Sequence, residues 1–408
     1  MTKKKILYLA SRYPYPPVSG GLIRMYNISK MLAQHFITDI FSLTEHDISK
    51  EHLDTYKKHL ATVESGINHF NNVYVYRHTK YASYVNTLKS LIDRRPLQVA
   101  YYYFRDAQRK INDLIKQNKY DLIFCSHIRT TDYAAHVDIP RVVDCVDSMS
   151  LSYLQDNSLG SNFLWKRIYA IEKGRVPLYE KRLPGRFGYC FLTSDNDSEY
   201  LKKLSGQTNI VTISNGVGQN IIDYGVRSSN AHQMNTLTFL GKMDYKPNID
   251  AVVYFVKKIW PMIKETLGDV EFQIIGSKPT AEVQALLASK GVVVTGFVND
   301  PYEAIVSSKM FIAPMISGSG IKNKILEAMA LGKCVVTTSS GAGGIEGVDD
   351  QHFVIADEPE QFATKVIDLW SDAPKRQRIG ADARALVMER YVWEKTTKEL
   401  INILNQMV

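Results

Sequence analysis

Residues 310–336 read MFIAPMISGSGIKNKILEAMALGKCVV. The stretch opens with the apolar run Met310–Ala313, breaks at Pro314, passes Gly318 and Gly320, and continues as a helical pattern over Ile321–Leu331. A second apolar strand follows at Cys334–Val336. Strand, glycine loop, helix, strand is a unit that turns backbone N–H groups and a helix N-terminus toward an anion, usually a phosphate. Lys322 and Lys324 fall in the first turn, where a cation opposes the helix macrodipole. A bound anion would offset that cost. Glu327, one to two turns further on, is placed to accept hydrogen bonds from ribose hydroxyls. A purely structural βαβ turn with solvated lysines fits the same residues, because a glycine loop without a full fingerprint is a weak signal.

Around this stretch the composition is that of an ordinary globular chain. Its 408 residues correspond to about two domains at roughly 150 residues each. No apolar run approaches the ~20 residues that span a bilayer. The N-terminal MTKKKILYLASRYPYPP has lysines before an apolar patch, but Ile6–Ala10 is too short for a signal-peptide core and Arg12 follows at once. It reads as a first β-strand, and the expected location is the cytoplasm. Cys125, Cys145, Cys190 and Cys334 show no metal-ligand spacing and sit in apolar runs, so they are expected as buried reduced thiols. A net charge of +8 and a pI near 9.0 favour anionic partners. No nucleic-acid motif accompanies the charge, which leaves phosphorylated substrates and an anionic membrane surface.

The N-terminal half alternates short apolar strands (Lys5–Ala10, Ile37–Leu43, Val73–Tyr76, Asp121–Cys125, Arg141–Cys145, Gly188–Thr193) with helical patterns (Leu22–His35, Tyr81–Ile92, Leu97–Gln117, Ser161–Arg182). This alternation implies a doubly wound parallel sheet, whose ligands bind outside the carboxyl ends of the strands. The loop after the first strand, SRYPYPPVSGG (Ser11–Gly21), is stiffened by three prolines, and Gly20–Gly21 lets the backbone approach a ligand. His127 and Arg129 follow the strand Asp121–Cys125. Asp144, Asp147 and Ser148 follow the next one, where acid–base work is conceivable and capping of the next helix is the simpler role. Tyr101–Phe104, flanked by Arg94, Arg95, Arg105 and Arg109, offers either core packing or an aromatic, basic surface for a lipid-linked acceptor or a membrane. Ser161–Arg182 reads as a solvated surface helix. Periodicity is lost over Val217–Asn235, where a linker is placed. The second half opens with TLTFLGKMDYKPN, a strand ending at Gly241, lysines at 242 and 246, and Pro247 in a first helical turn.

The glycine loop and its LEAMALG helix resemble the donor-binding signature of retaining glycosyltransferases of the GT-B fold. GIKNKILEAMALGKCVV is similar, more narrowly, to sugar transferases associated with bacterial exopolysaccharide clusters. FLGKMDYKPN (Phe239–Asn248) is similar to the same subgroup from an independent segment. The resemblance spans nearly the whole chain, with its specific motifs in residues 236–345. It implies two Rossmann-like domains facing a central cleft: 1–217 for the acceptor, a linker at 218–235, 236–390 for the nucleotide sugar, and a C-terminal helix, 391–408, crossing back to the first domain with Trp393 as a packing anchor.

By resemblance, Lys242 and Lys246 match the Arg and Lys pair that clamps the donor diphosphate, Lys242 trading a bidentate contact for a point charge. Donor contacts are carried over to Gly20, Gly21, Gly241, Gly320, Ile321, Lys322, Asn323 and Glu327, with Phe297 and Val298 against the base. His127, Lys242 and Lys246 are the expected catalytic groups, and Arg24 and Arg129 lie on the acceptor side. The family's first donor-loop acid would fall at Ser319, which has no carboxylate, so the donor sugar stays open.

The expected activity is hexosyl transfer from a nucleotide-diphosphate sugar, with UDP among the candidate nucleotides, to a glycan or lipid-linked acceptor with retention of configuration. Neither cofactor nor metal is expected. Bacterial surface polysaccharide synthesis at the inner face of the plasma membrane is the implied setting. A GT-B epimerase, a glycoside phosphorylase and a non-catalytic GT-B subunit are the alternatives.

Overall fold

The computed structural model describes residues 3–61, 70–155, 163–228, 232–318 and 320–408. The chain divides into two compact units: Met1–Ser214 together with Thr397–Val408, and Asn215–Thr396.

The first unit is built on seven parallel strands: β1 (Lys5–Ala10), β2 (Ile37–Thr44), β3 (Phe70–Arg77), β4 (Leu122–Ser126), β5 (Arg141–Val146), β6 (Tyr189–Leu192) and β7 (Ile210–Thr212), in the order β3-β2-β1-β4-β5-β6-β7. A central strand covered on both faces needs apolar residues at every position rather than at alternate ones. β4, LIFCS, is buried throughout. In β1, Ile6, Tyr8 and Ala10 pack on one face with Ile28 and Leu32 of the helix Gly20–His35 and with Leu400 and Leu404 of the last helix. Leu7 and Leu9 face the other side, with Val99, Phe104 and Ile111. The chain winds outward from β1 to β3 and then returns to place β4 beside β1. That reversal opens a crevice at the carboxyl ends of β1 and β4.

The second unit repeats the plan with six parallel strands: β8 (Thr236–Leu240), β9 (Glu271–Ile275), β10 (Val292–Gly296), β11 (Met310–Ala313), β12 (Val335–Thr337) and β13 (Val354–Ile355), ordered β10-β9-β8-β11-β12-β13. Here the reversal falls between β8 and β11, the two strands that lead into FLGKMDYKPN and the glycine loop.

Three sequence expectations are corrected. The linker at 218–235 contains a helix, Gln219–Arg227, whose Ile221 and Ile222 join the second unit's core. A β-carbon on its Gly225 would lie 2.8 Å from Leu331 Cα, so it packs closely on the end of the helix Asn323–Ala330. The polar composition downstream masked this short amphipathic turn. Leu97–Gln117 is two helices, Leu97–Tyr101 and Arg105–Gln117. The Tyr133 hydroxyl bridges the break, accepting from Phe104 N (2.9 Å) and donating to Tyr102 O (2.7 Å). The helix Phe163–Glu180 is not merely a solvated surface helix: Glu172, Val176 and Glu180 are buried. Leu97 N donates to Glu172, and Ser148 Oγ and Met149 N donate to Glu180, so two buried carboxylates satisfy backbone and hydroxyl donors at helix starts. All four cysteines are buried and free, as expected.

Candidate active site

In the second unit, the turns after β8 and β9 cross so closely that a β-carbon on Gly276 would overlap the carbonyl oxygen of Gly241. Gly241 N donates to Ile275 O at 3.0 Å. Lys242 follows, half exposed, with Nζ 3.1 Å from Asp244 Oδ1. Lys246 opens the helix Lys246–Tyr254 with Pro247 in its first turn and is ion-paired to Asp250 one turn on, its side chain still 61% exposed. Asn248 closes this turn by donating Nδ2 to Lys242 O at 2.8 Å.

The glycine loop meets that segment directly. Gly318 and Gly320 take positive φ of 102° and 68°, where a side chain is strained. A β-carbon on Gly318 would touch Pro247 at 3.6 Å. Ser319 lies outside the described residues. The helix begins at Asn323 rather than Ile321, with Lys322 as its N-cap residue. Ile321 is buried. The two lysines at the helix start have protein partners. Lys322 Nζ folds back onto the carbonyls of Gly318 (2.9 Å) and Gly320 (2.7 Å). Lys324 donates to Asn248 Oδ1 and rests 4.3 Å from the Phe239 ring centre. Asn323 Oδ1 accepts from Asn215 Nδ2 at 3.0 Å.

Burial governs the charge of this turn. It pushes the Lys324 ammonium down to about 7, aided by Lys322 and opposed by Glu327. Burial pushes the Glu327 carboxyl up to about 7, opposed by Lys324 and by a hydrogen bond with Tyr302. Tyr302 stands at the start of the helix Pro301–Ser307, capped by Asp300, whose carboxylate accepts from Tyr302 N and Glu303 N. That helix follows the Gly296–Phe297–Val298 turn, in which Phe297 is 75% exposed and Val298 lines an open groove with Thr295, Asn299 and Asp300. The Gly296–Val298 turn and the helix after the glycine loop are therefore linked through Tyr302 and Glu327.

In the first unit, β1 and β4 end side by side, Ala10 opposite Ser126. The next residues, Ser11–Arg12 and His127, bear the unusual groups of the crevice. His127 adopts a positive φ of 71°, held by its N–H donating to Asp144 O at 2.7 Å. Burial, then Arg129 and Arg12, keep its imidazole well below the usual pKa and hence neutral. Among the described residues, the buried atoms Ser11 Oγ, Arg12 Nε and His127 Nδ1 find no hydrogen-bond partner. Such orphans are rare and call for a ligand or ordered water. Arg12 lies across the start of the helix Gly20–His35, where a β-carbon on Gly21 would come within 2.8 Å of its Nη2. Arg129 is held in place, donating Nε and Nη2 to Gln98 Oε1 (3.1 and 2.6 Å) and lying over Tyr102 at 4.9 Å.

Arg24 departs from expectation. Its side chain is 1% exposed, donating Nε (2.8 Å) and Nη2 (2.8 Å) to the Asp144 carboxylate and Nη1 to Ile213 O (2.9 Å). The arginine on the acceptor side of the sequence reading is thus an internal tie. Asp144 serves that tie rather than a helix cap, Asp147 accepts from Thr193 Oγ1, and Ser148 Oγ shares the cap with Glu180, accepting from Leu151 N. Among the described residues, no three His, Cys, Asp or Glu side chains are grouped to hold a metal ion.

A family model described as glycosyl transferases group 1 matches residues 234–372. Residues 234–372 are thus similar to a group 1 glycosyltransferase domain, and the chain has the GT-B fold. Sucrose-phosphate synthase from Thermosynechococcus elongatus superposes with a TM-score of 0.70 at 13% identity, covering 99% of each chain. Anabaena HepE, solved in complex with UDP, superposes at 0.60 with 15% identity over 98% of this chain and 100% of that one. In sequence, a Klebsiella pneumoniae protein described as an "uncharacterized 44.6 kDa protein in cps region" is 21% identical over 95% of this chain and 96% of its own length.

The glycosyltransferase match contains every second-unit candidate site residue read from sequence, from Gly241 to Glu327. Sequence reasoning left Asn248, Asp250, Tyr302 and Arg12 without site roles. Asn248 stood inside the recognised FLGKMDYKPN segment and could have been found there. Tyr302 and Arg12 carried no local signal, since their partners are distant in sequence.

Proposed function

We propose that the protein transfers a hexose from a nucleotide-diphosphate sugar, with UDP the first nucleotide to test, to a glycan or lipid-linked acceptor with retention of configuration, in bacterial surface polysaccharide synthesis. The observation that carries this reading is the meeting of two recognised donor segments, Gly318 against Pro247 and Lys324 on Asn248, within the residues matched by the group 1 model. The UDP complex of HepE and the cps-region relative support the nucleotide and the pathway class.

In this reading, Lys242, Lys246 and the amides of the glycine loop hold the diphosphate and stabilise its charge as the glycosidic bond breaks. Glu327 receives the ribose hydroxyls, and Phe297 and Val298 border the base. Gly20 and Gly21, in the loop after β1, are proposed as further donor contacts. His127, neutral and with Nδ1 free of protein partners, orients the reacting sugar. Arg129 and Arg12 face the acceptor. The departing phosphate takes the acceptor proton on the face it leaves. None of these steps calls on a metal or cofactor. No helix among the described residues is long and apolar enough to cross a membrane, and the proposed place of action is the cytoplasm, at the inner face of the plasma membrane.

The test is calorimetric titration of UDP, GDP, ADP, CMP and dTDP into the purified protein and into Lys242→Ala. Binding of one nucleoside diphosphate, lost in the variant, supports the donor site. Binding of none by the folded protein overturns it.

A further inference from the structure

The helix Lys80–Asp93 is amphipathic in the reverse sense. Among the described residues its buried side chains are polar: Ser83 and Ser90 are fully buried, Ser83 Oγ meets His78 Nδ1 at 3.1 Å, and Asn86 Nδ2 donates to Tyr103 O at 2.7 Å. Its outward face carries Tyr81, Tyr84, Leu88 and Ile92, exposed to 78, 60, 65 and 88%. Spacings of three, four and four residues line these four side chains along one stripe. A helix that packs its hydroxyls inward and shows water its aromatic and aliphatic side chains is built to meet something other than water.

The charges around the stripe choose the occupant. Lys80 and Lys89 are exposed on its two flanks, and Arg94, exposed in a left-handed cap, ends the helix. The helix's one acid, Asp93, is already ion-paired to Arg95 at 2.6 Å. A second copy seated on this stripe would bring lysine fringes together. An anionic bilayer surface meets the same fringes with opposite charge, tyrosines at headgroup depth and aliphatic chains below them. The chain's formal charge of +8 acts in the same sense.

We propose that the Lys80–Asp93 helix is a docking surface for anionic lipid, lying in the bilayer interface with Tyr81, Tyr84, Leu88 and Ile92 immersed. This deepens the proposed membrane contact and rests on that reading only for its setting, because no residue of the stripe is given a role in donor binding.

The experiment is co-sedimentation of the full chain with vesicles of phosphatidylcholine alone or with about one third phosphatidylglycerol. The comparison is Leu88→Glu/Ile92→Glu, both exposed positions that leave the buried face intact. Each protein's fold is checked by circular dichroism and its UDP binding by calorimetry. Binding to the anionic vesicles only, weakened by salt and reduced about tenfold or more in the double variant, supports the surface. Equal vesicle binding by both proteins, or no binding by the wild type, overturns it whatever the UDP result. A dimer that the double variant breaks, without vesicle binding, reassigns the stripe to a second copy and likewise overturns the proposal. Failure to bind UDP with intact vesicle binding removes the donor reading and leaves the docking surface standing.

Discussion

The Lys324 ammonium, in the first turn after the glycine loop, donates to the side-chain carbonyl of Asn248, in the first turn after β8. Asn248 in turn donates to Lys242 O. One asparagine thus sets both the lysine of the loop and the backbone of the lysine proposed to clamp the diphosphate. Asn248→Ala removes both bonds and frees Lys324. Nucleoside diphosphate affinity is expected to fall by about tenfold, the scale of a charge-assisted hydrogen bond, with a normal circular dichroism spectrum. Unchanged affinity in titration calorimetry would show that this bond does not organise the site.

Glu327 and Lys324 titrate in opposite senses. The Glu327 carboxyl is raised to about 7 from 4.5, so its contribution to stability is complete below pH 4.5 and is lost as pH rises through 7. Lys324 is lowered to about 7 from 10.5, so its contribution is complete above pH 10.5 and is lost as pH falls through 7. Glu327→Gln removes the first of these slopes. Thermal melts of the ligand-free protein between pH 4.5 and 7 are expected to decline for the wild type relative to the variant. Parallel curves would place the carboxyl in water.

Glu327→Ala also tests the ribose assignment. Loss of charged hydrogen bonds is expected to weaken nucleotide-sugar binding by roughly 1–3 kcal/mol. Retained donor affinity in a folded Glu327→Ala protein would remove Glu327 from the donor site.

Lys246 is solvent-facing and, among the described residues, is ion-paired to Asp250 on its own helix, so it is available to a leaving group whose charge grows in the transition state. Lys246→Ala is expected to lower turnover more than donor affinity. The check is kcat and KM from nucleotide release. A variant with full kcat and raised KM would make Lys246 a binding residue alone.

Arg24 and Asp144 form a buried bidentate pair. Replacing one partner leaves an uncompensated charge, and Arg24→Met or Asp144→Leu alone should each cost about 3–5 kcal/mol, with the double replacement recovering much of it. Urea denaturation of the three variants reads this directly. Additive losses would refute the tie.

The sequence alone determined the two doubly wound units and much of the candidate donor site. Continuous apolar strands, strand–helix alternation and positive-φ glycines act locally, so β4's LIFCS and the Gly318–Gly320 loop announce themselves in a few residues. FLGKMDYKPN and the glycine loop were legible for the same reason. What the tertiary structure alone decided were the relations between residues far apart in the chain. Arg24 finds Asp144 across 120 positions, which turns an acceptor-side expectation into a core ion pair. Lys324 finds Asn248 across 76, and burial then lowers the lysine and raises Glu327, each to about 7. The Lys80–Asp93 helix was legible as a helix from its period, but that period does not say which face packs inward. Ser83 and Asn86 found partners in the fold, and Tyr81, Leu88 and Ile92 were left outside because desolvation, unlike helix formation, depends on what surrounds a side chain in space.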